Sequence, residues 1–281
     1  MNATSAIPPA EPLVSICIPT YKGAATLAAT LASVLSQDYS AIEVWVVDDQ
    51  SPDDTAAVVA ACADPRVHYL RNPVNLGPQG NWNRCLELAR GTYYKLLPHD
   101  DLLEPGSLRV QVAALEADTE RRIAMVFGAR RIVRPNGSTL MVRRYGSVAR
   151  RVPASEAARR CVRSGGNLLG EPGNGLMRLE LARVLGSYDA TYPYLVDLDF
   201  WFRALCHGDA YDTGSITSAF RIGAGSWSVA IGRRQHLDYA GFVRKHAAQP
   251  ALGLTRLDVL LGTARARLNT WLRALVYRFV L

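Results

Sequence analysis

The most informative stretch of this chain is Thr92-Tyr93-Tyr94-Lys95-Leu96-Leu97-Pro98-His99-Asp100-Asp101. Its first six residues form an aromatic and apolar run, which predicts a buried β-strand. Asp100 and Asp101 follow that run, and ligands of α/β sheets bind outside the carboxyl ends of the strands. Two hard oxygen ligands in that place suit Mg²⁺ or Mn²⁺ carrying a diphosphate. The alternative is that residues 101–105 form the acidic start of a helix.

Strand and helix patterns alternate in the residues before this stretch. Apolar runs predict strands, apolar residues at helical spacing predict helices, and Pro19 is expected to stop the first strand. The predicted elements are strands at 13–18, 42–47 and 67–70 and helices at 24–35, 52–62 and 79–90. Their alternation predicts an α/β fold with a mixed, mostly parallel sheet flanked by helices.

The pattern changes after the two acids. The predicted elements there are a helix at 105–117, a hairpin of 123–133 and 138–143, helices at 179–185 and 196–206, and a strand at 216–222. Residues 164–175 are rich in glycine and predict a loop over a site. Residues 121–163 carry twelve arginines and one acid, which is typical of either a solvated surface or a phosphate-binding face.

The composition restricts the class of protein and its partners. The 281 residues have a net charge of +7, which favours an anionic partner such as a nucleotide, a lipid phosphate or a membrane surface. Nucleic acid is not an expected partner, because no zinc-finger, RRM or KH signature is present. The five cysteines are scattered and predict reduced thiols of a cytoplasmic protein. The sequence shows no secretory signal and no run of about 18 apolar residues.

Five motifs follow one another in a fixed order. They are Val14-Ser15-Ile16-Cys17-Ile18-Pro19-Thr20-Tyr21-Lys22, Ser33-Val34-Leu35-Ser36-Gln37-Asp38-Tyr39, Val46-Val47-Asp48-Asp49-Gln50-Ser51, Asn75-Leu76-Gly77 with Asn83, and Gly91-Thr92-Tyr93 before the acids. With these motifs, residues 13–230 resemble the inverting family-2 glycosyltransferases of the bacterial surface-polysaccharide type. The resemblance implies the GT-A fold and transfer of a hexosyl or deoxyhexosyl group from a UDP- or dTDP-sugar to a hydroxyl of a glycan or lipid-linked acceptor. Lys22 and Gln50 depart from the family's pattern, which has Asn and Gly there.

The resemblance implies a nucleotide site at the ends of the first two strands. The implied nucleotide-binding residues are Pro19, Thr20, Tyr21, Asp49, Asn75 and Asp100. A carboxylate such as Asp49 can accept the N3–H of uracil or thymine. The alternatives are that Asp49 caps a helix and that Tyr21 belongs to the core.

The resemblance also implies metal-assisted catalysis. Asp101 corresponds to a ligand of Mn²⁺ or Mg²⁺, and Pro98 stands where many relatives have a leading Asp. Asp197 corresponds to the general base that takes the proton of the acceptor hydroxyl. Val196 replaces the family's Glu beside that base. The alternative is that Asp197 only caps its helix.

Four more residues are given roles near this site. Arg221 is a candidate for binding the diphosphate, although the His that often follows at this point in relatives is absent. Glu171, in the glycine-rich loop, is a candidate contact to the acceptor. His99 is either a metal ligand or a hydrogen-bonding neighbour. Asp199 points away from Asp197 on a helix and is predicted to be a structural ion-pair partner or cap.

Two other classes of protein compete with a glycosyltransferase. A sugar-phosphate nucleotidyltransferase has a glycine-rich loop after its first strand, which residues 19–23 lack. A non-catalytic sugar- or nucleotide-binding protein of the same fold stays open because of the departures at Pro98, Val196 and Gly223. A dinucleotide-dependent dehydrogenase is not expected, because no G-x-G-x-x-G follows the first strand.

The patterns divide the chain into four parts. A loose arm is predicted at 1–12, a nucleotide-sugar-binding half at 13–104, and an acceptor-binding and catalytic half at 105–233. An amphipathic helical tail is predicted at 234–281, with one long helix from residue 254.

The long helix of the tail has an apolar face edged by arginines. The face comprises Leu254, Leu257, Leu261, Ala264, Leu268, Leu272, Leu275 and Phe279, and Arg256, Arg267 and Arg278 edge it. This pattern predicts a helix that lies on an anionic membrane surface, at the inner face of the membrane. The alternative is that the face packs on the catalytic domain or on the second subunit of a homodimer.

Overall fold

The computed structural model describes residues 11–222 and 235–280, with side chains through residue 271. The strands are β1 (Val14–Thr20), β2 (Ile42–Asp48), β3 (Val67–Arg71), β4 (Tyr93–Leu96), β5 (Leu102–Leu103), β6 (Ile123–Val133), β7 (Thr139–Arg143), β8 (Arg150–Val152), β9 (Met177–Arg178) and β10 (Asp209–Arg221). The helices are α1 (Leu27–Leu35), α2 (Thr55–Ala60), α3 (Gly77–Leu88), α4 (Ser107–Glu116), α5 (Ala154–Ser164), α6 (Leu179–Leu185), α7 (Val196–Leu205), α8 (Gln235–Ala247) and α9 (Arg256–Val280). Most of the predicted arm at 1–12, and Gly223, lie outside the described residues.

The first sheet brings the predicted strand ends together. Its order is β3-β2-β1-β4-β9, in which β1 to β4 run parallel and β9 is antiparallel. Helices α1, α2 and α3 make the crossovers that parallel pairing requires. The carboxyl ends of β1, β2 and β4 therefore lie at the same edge. The predicted α/β class with a mixed, mostly parallel sheet is confirmed.

A second sheet carries the far side of the site. Its order is β5-β10-β6-β7, and β8 also pairs with β10. The predicted hairpin is confirmed, because β6 and β7 pair antiparallel. An isolated antiparallel pairing between Val126 and Leu176 joins this sheet to the region of β9. The two sheets are thus connected through the backbone beside the glycine-rich loop.

The hydrophobic core crosses the predicted divisions of the chain. One buried cluster includes Cys17 of β1, Phe200 of α7 and Phe242 of α8. Phe202 of α7 also stacks edge-on against Phe242, with ring centroids 4.9 Å apart. Because α8 contributes fully buried aromatic rings, it belongs to the packed body that also contains α7.

Strand β1 continues through Pro19 to Thr20, beyond its predicted end. Pro19 has no N–H, so it is tolerated only where no neighbouring strand needs that donor. Pairing with β4 ends at Cys17, while pairing with β2 continues to Thr20. The Thr20 carbonyl accepts the N–H of Asp49 on the β2 side, so the Pro19 nitrogen faces the side that β4 no longer covers.

Residues 101–105 do not begin a helix. Leu102 and Leu103 form β5, which pairs antiparallel with Ala219 and Ser218 of β10. Helix α4 begins later, at Ser107, after Gly106 with φ 74°. The pairing of β5 therefore brings β10, which ends at Arg221, close to the two acids.

The first half of α9 packs on α5 through small residues. Gly165 follows α5 with φ 67°, and a Cβ there would lie 2.6 Å from the backbone nitrogen of Ala266. A Cβ on Gly262 would lie 2.5 Å from the carbonyl oxygen of Val162. Neither contact leaves room for a side chain, so glycine at both positions allows the close approach of the helices.

The packed face of α9 is not the predicted apolar face. Asp258 and Ala266 are buried, and Asp258 accepts the Nε–H of Arg163 at 2.6 Å. The exposed large residues of α9 are Leu257 (56%), Leu260 (67%), Leu261 (45%), Leu268 (44%) and Trp271 (62%). The alternative in which Leu257, Leu261 and Leu268 pack on the catalytic domain is therefore wrong. Leu272, Leu275, Phe279 and Arg278 lie beyond the side chains that the structure describes.

No helix within residues 11–222 and 235–280 is both long and apolar enough to cross a membrane.

Candidate active site

The turns after β1 and β2 meet at the edge of the first sheet. The N–H of Asp49 donates to the Thr20 carbonyl at 2.8 Å, and the N–H of Lys22 donates to Ser51 Oγ at 2.9 Å. The N–H of Gly23 donates to Thr55 Oγ1 at 2.9 Å. These bonds fix the two turns that the resemblance assigns to nucleotide binding against each other.

The two departures from the family's pattern keep an unusual backbone conformation. Lys22 has φ 55° and Gln50 has φ 62°, both in the left-handed region. Asn and Gly, the residues of the family's pattern, adopt that region more easily than Lys and Gln do. Each departure therefore costs about 1–2 kcal/mol of local strain.

Asp49 is buried and held by the loop between β3 and α3. Its Oδ1 accepts Nδ2 of Asn72 at 2.9 Å and the N–H of Leu76 at 2.8 Å, while Asn75 Nδ2 donates to the Asp49 carbonyl at 2.8 Å. Helix α2 begins after Asp54 and has no side-chain cap bond, so Asp49 does not cap it. Within the described residues these bonds use Oδ1 and the carbonyl oxygen, which leaves Oδ2 to meet a ligand.

The other residues of the first turn are oriented differently. Tyr21 is 44% exposed, so the alternative that it belongs to the core is wrong. Thr20 is buried, and its hydroxyl donates to the carbonyl of Ile18 at 3.1 Å. Pro19 lies in β1 directly before them. The turn thus presents the ring of Tyr21, rather than the Thr20 hydroxyl, to a ligand.

The acidic pair lies at the end of β4, beside α1 and β10. Asp101 is buried, and its Oδ1 accepts the backbone N–H of Arg221 at 3.0 Å. The hydroxyl of Thr30 bonds to the carbonyls of His99 at 2.7 Å and Asp101 at 2.9 Å. Burial, followed by the charge of Asp100, raises the pKa of Asp101 well above its usual range. The site therefore favours a cation beside Asp101.

The Arg221 side chain braces the acidic turn. Its Nε donates to the Asp100 carbonyl at 3.0 Å, and its Nη1 donates to the carbonyl of Pro135 in the β6–β7 turn at 2.9 Å. Sequence reasoning assigned this guanidinium to a diphosphate. In the structure it links β10, the acids and the hairpin at one side of the site.

Asp197 is the second residue of α7, and its side chain is half-buried. Its Oδ1 accepts the N–H of Leu198 at 2.7 Å, and its Oδ2 accepts Nδ2 of Asn167 at 2.9 Å. Burial, followed by the charge of Glu171, raises the pKa of Asp197 to about 7. A carboxylate with this pKa is matched to proton transfer near neutral pH.

Asp199 has the structural role predicted for it. It forms ion pairs with Arg203 at 2.8 Å and Lys245 at 2.7 Å, and His246 Nε2 lies 2.9 Å from its carboxylate. The bonds join α7 to α8. They also hold α7, whose second residue is Asp197, against the core.

Glu171 acts electrostatically on both Asp101 and Asp197. Its charge raises the pKa of each of these carboxyl groups. The loop that carries Glu171 lies against the acidic turn, because a Cβ on Gly173 would be 4.0 Å from Asp101 Oδ2. Glu171 forms an ion pair with Arg130, which is 1% exposed. The glycine-rich loop thus lies between the acidic pair and Asp197.

Arg130 is one of twelve arginines in residues 121–163, and no motif distinguishes it from the others. The sequence feature that could have identified Arg130 is its position within the apolar run 123–133, because a buried cation needs a partner. Other arginines of the segment form ion pairs elsewhere: Arg121 with Glu180, Arg122 with Glu120, Arg131 with Glu104, Arg150 and Arg160 with Glu156, Arg151 with Asp209, and Arg159 and Arg163 with Asp258. The segment is mainly an ion-paired surface.

Two more buried residues missed by sequence reasoning hold the glycine-rich loop. Lys95 Nζ donates to the carbonyls of Gly173 at 3.0 Å and Gly175 at 2.8 Å, and burial lowers the pKa of Lys95 to about 7. Asn174 Nδ2 donates to the carbonyls of Gly128 and Leu169, each at 2.8 Å. The loop is therefore fixed to β4 and β6 on either side of the site.

The carboxylate oxygens at Asp101 fit a hard divalent cation that the phosphates of a bound substrate would also coordinate. Across the part of the chain that the structure describes, no three His, Cys, Asp or Glu side chains are grouped to hold a metal ion. Asp101 and Asp100 supply carboxylate oxygens whose mutual repulsion a cation would relieve. Such a site suits Mg²⁺ or Mn²⁺, which bind through one or two carboxylates together with substrate phosphates.

The acidic pair lies at the carboxyl end of a parallel strand, and a second carboxylate, Asp197, lies across the glycine-rich loop, which is the arrangement that the resemblance to the GT-A glycosyltransferases implies. The chain belongs to glycosyl transferase family 2, whose model matches residues 15–183. This match confirms the family and the enzyme class that the motifs implied.

Known proteins resemble the chain in sequence and in fold. The uncharacterized protein MT1568 of Mycobacterium tuberculosis is 35% identical over 213 residues, 73% of this chain and 65% of that protein. WfgD of Escherichia coli, named a UDP-Glc:alpha-D-GlcNAc-diphosphoundecaprenol beta-1,3-glucosyltransferase, is 32% identical over 124 residues, 44% of this chain and 48% of WfgD. The structure of S. aureus TarS 1–349 in complex with UDP-GlcNAc has a TM-score of 0.64 and 16% identity, covering 84% of this chain and 72% of TarS. The chain thus spans about two thirds of one curated relative and half of the other.

Proposed function

We propose that this chain is an inverting glycosyltransferase that moves a hexosyl or deoxyhexosyl group from a UDP- or dTDP-sugar to a hydroxyl of a glycan or lipid-linked glycan. One observation carries the proposal: Asp197, with its raised pKa, lies across the glycine-rich loop from the acidic pair. The acceptor oxygen forms a bond to the anomeric carbon from the face opposite the diphosphate. The bond from that carbon to the diphosphate breaks, and Asp197 takes the hydroxyl proton.

The donor lies against the turns after β1 and β2. Asp49 Oδ2 accepts the N3–H of the base, and the exposed ring of Tyr21 offers a surface for stacking. Pro19, Thr20 and Asn75 shape this turn region, and Asp100 contacts the ribose. The names of WfgD, a UDP-Glc enzyme, and of the TarS complex with UDP-GlcNAc support a uridine donor.

Asp49→Asn should weaken UDP or dTDP binding by about 1–3 kcal/mol, because the new amide Nδ2 cannot accept the N3–H. Asn keeps an oxygen for the bonds from Asn72 and Leu76, so the loop should stay in place. Isothermal titration calorimetry measures the change. Asp54→Asn is the control, because Asp54 is exposed at the start of α2 and makes no side-chain cap bond. Equal affinities of Asp49→Asn and the unmodified chain would contradict the assignment.

Mn²⁺ or Mg²⁺ would be held by Asp101, with Asp100 beside it. When bound, the ion neutralises charge on the leaving diphosphate. On the acceptor side, Glu171, whose charge acts on Asp197, would orient the hydroxyl. Arg221, which braces the acidic turn, would reach the diphosphate by exchanging one of its carbonyl partners.

The function is tested with a panel of nucleotide sugars. Thermal-shift measurements with Mn²⁺ identify the donor that stabilises the chain, and NMR of the transfer product then determines the anomeric configuration. An inverted product supports the proposal. Binding without transfer or donor hydrolysis, for every donor and acceptor offered, would favour a non-catalytic binding protein.

The long C-terminal helix gives the enzyme a membrane-facing surface. Its exposed apolar residues Leu257, Leu261 and Leu268 are left uncovered by the packing of α9 on α5. From residue 256 to 280 the helix has five arginines and one acid, and that acid, Asp258, is buried against Arg163. The exposed surface is therefore apolar and cationic, which suits anionic lipid at the inner face of the membrane. A lipid-linked acceptor, like the one in the name of WfgD, would be reached there.

The full chain should float with vesicles that contain anionic lipid and fail to float with zwitterionic ones. A variant with Leu257→Glu, Leu261→Glu and Leu268→Glu should lose this binding and keep its melting temperature, because the three side chains are exposed. Equal flotation of both proteins, or of neither, would remove the membrane role. A dimer that the same variant converts to a monomer in light scattering would assign the face to a homodimer instead.

A further inference from the structure

Arg130 is buried in β6 with every nitrogen of its guanidinium directed at the glycine-rich loop. Nη2 donates to the Asn167 carbonyl at 2.8 Å, and Nη1 donates to the Leu168 carbonyl at 3.4 Å. Nε lies against the carboxylate of Glu171. Burying a guanidinium is costly, and here the carboxylate of Glu171 and the two loop carbonyls offset part of that cost. These contacts of the Arg130 guanidinium are all with one loop, which lies beside the proposed base Asp197.

A short chain of bonds connects Arg130 to the base. Asn167 Nδ2 donates to Asp197 Oδ2 at 2.9 Å. The Asn167 side chain is itself fixed, because it donates to the Gly170 carbonyl at 2.8 Å and accepts the Gly170 N–H at 2.9 Å. Holding the Asn167 backbone therefore determines where the amide meets the carboxylate of Asp197.

We propose that Arg130 is a positioning residue for glycosyl transfer. It holds the base Asp197, through Asn167, at a fixed distance from the acceptor-side carboxylate Glu171. The inference rests on the proposed function. It also accounts for Val196, which stands where relatives carry a Glu beside the base. In this chain the second acid near Asp197 comes from Glu171, and Arg130 is the group that holds it.

The charges around the base support this role. The charges of Glu171, in the glycine-rich loop, and of Arg130, in β6, both act on Asp197. The two act in opposite directions, since Glu171 raises the pKa of Asp197 and Arg130 lowers it. Asp199, on the same helix, is occupied by Arg203 and the α8 residues Lys245 and His246. Arg130 thus balances the charge of the acid that it positions.

Two substitutions separate the geometry of Arg130 from its charge. Arg130→Lys keeps the positive charge but loses the planar guanidinium group and its fixed N–H donors. The kcat should therefore fall about 10–10²-fold, while donor KM and UDP affinity stay within twofold of those of the unmodified chain. Arg130→Met also removes the charge, so the acid limb of the kcat–pH profile should move to higher pH. Arg131→Lys is the matched control, because the neighbouring Arg131 pairs with Glu104 on the outer side of β6 and should leave every value unchanged.

A second measurement does not depend on transfer. Carbon-13 NMR can titrate the Asp197 carboxyl, assigned with Asp197→Asn, and Arg130→Met should raise its pKa relative to the Arg131→Lys protein. If Arg130→Met fails to fold, Asn167→Ala provides the alternative test and should also lower kcat. The loss of kcat in the double variant with Arg130→Lys should be smaller than the sum of the two single losses, expressed as free energies. Unchanged kcat in Arg130→Lys, or equal losses of kcat and UDP affinity, would overturn the inference. A raised carboxyl pKa without any transfer by the unmodified chain would overturn the proposed function alone.

Discussion

Asp197→Asn should lower the turnover number by about 10²–10⁴-fold and leave UDP affinity within twofold. The amide cannot take the hydroxyl proton, while its size and one acceptor oxygen are kept. Donor binding should survive because the hydrogen bonds of Asp197 are to Asn167 and Leu198, and not to the turns after β1 and β2. Steady-state kinetics and calorimetry on the same preparations measure the two effects.

The pH dependence provides the control for this assignment. The pKa of Asp197 is raised to about 7, so the carboxyl is protonated below that pH and cannot accept a proton. The kcat of the unmodified enzyme should therefore rise with pH through about 7, and the residual rate of Asp197→Asn should lack this limb. A product of retained anomeric configuration, or a variant with ordinary turnover, would show that Asp197 is not the base.

Asp101→Asn should abolish metal-dependent transfer, with a loss of about 10²–10⁴-fold at saturating Mn²⁺. Asn at this position can still accept the backbone N–H of Arg221, so β10 should stay in register. What is lost is the negative charge that holds a divalent cation against the leaving diphosphate. Chelation of the unmodified enzyme should abolish transfer as well, and added Mn²⁺ or Mg²⁺ should restore it.

The control for this variant is an acid far from the site. Asp64→Asn, before β3, removes only an ion pair with Arg66. It should respond to chelator and Mn²⁺ as the unmodified chain does. Full transfer by Asp101→Asn in the presence of chelator, at the rate of the unmodified chain with Mn²⁺, would exclude both the ion and its ligand from the reaction.

The nucleotide side of the site was largely predictable because it depends on local sequence. Thr20 ends β1 and Asp49 directly follows β2, and the ends of neighbouring parallel strands meet at one edge. Lys22 and Gln50 looked like breaks in the family's pattern. The structure shows that the turn geometry overrides their preference, since both residues adopt positive φ.

The hydrophobic periodicity of α9 did not determine which of its faces is exposed to solvent. The spacing of Leu257, Leu261 and Leu268 predicted an apolar face, which is a property of the helix alone. Packing was decided instead by Gly262 and Ala266, whose small size allows α5 to approach. Two faces of one helix compete for burial, and only the shape of the neighbour selects between them.

Local patterns were enough to predict the alternating strands and helices, the family, and the acids at the strand ends, because each depends on short-range periodicity and turn chemistry. The tertiary structure decided the contacts of Lys95, Arg130 and Arg221. Lys95 bonds to a carbonyl 78 residues away, and the Arg221 N–H bonds to an acid 120 residues away. Such partners are chosen by the need to match buried charges and donors once the two sheets pack, and no local pattern records that choice.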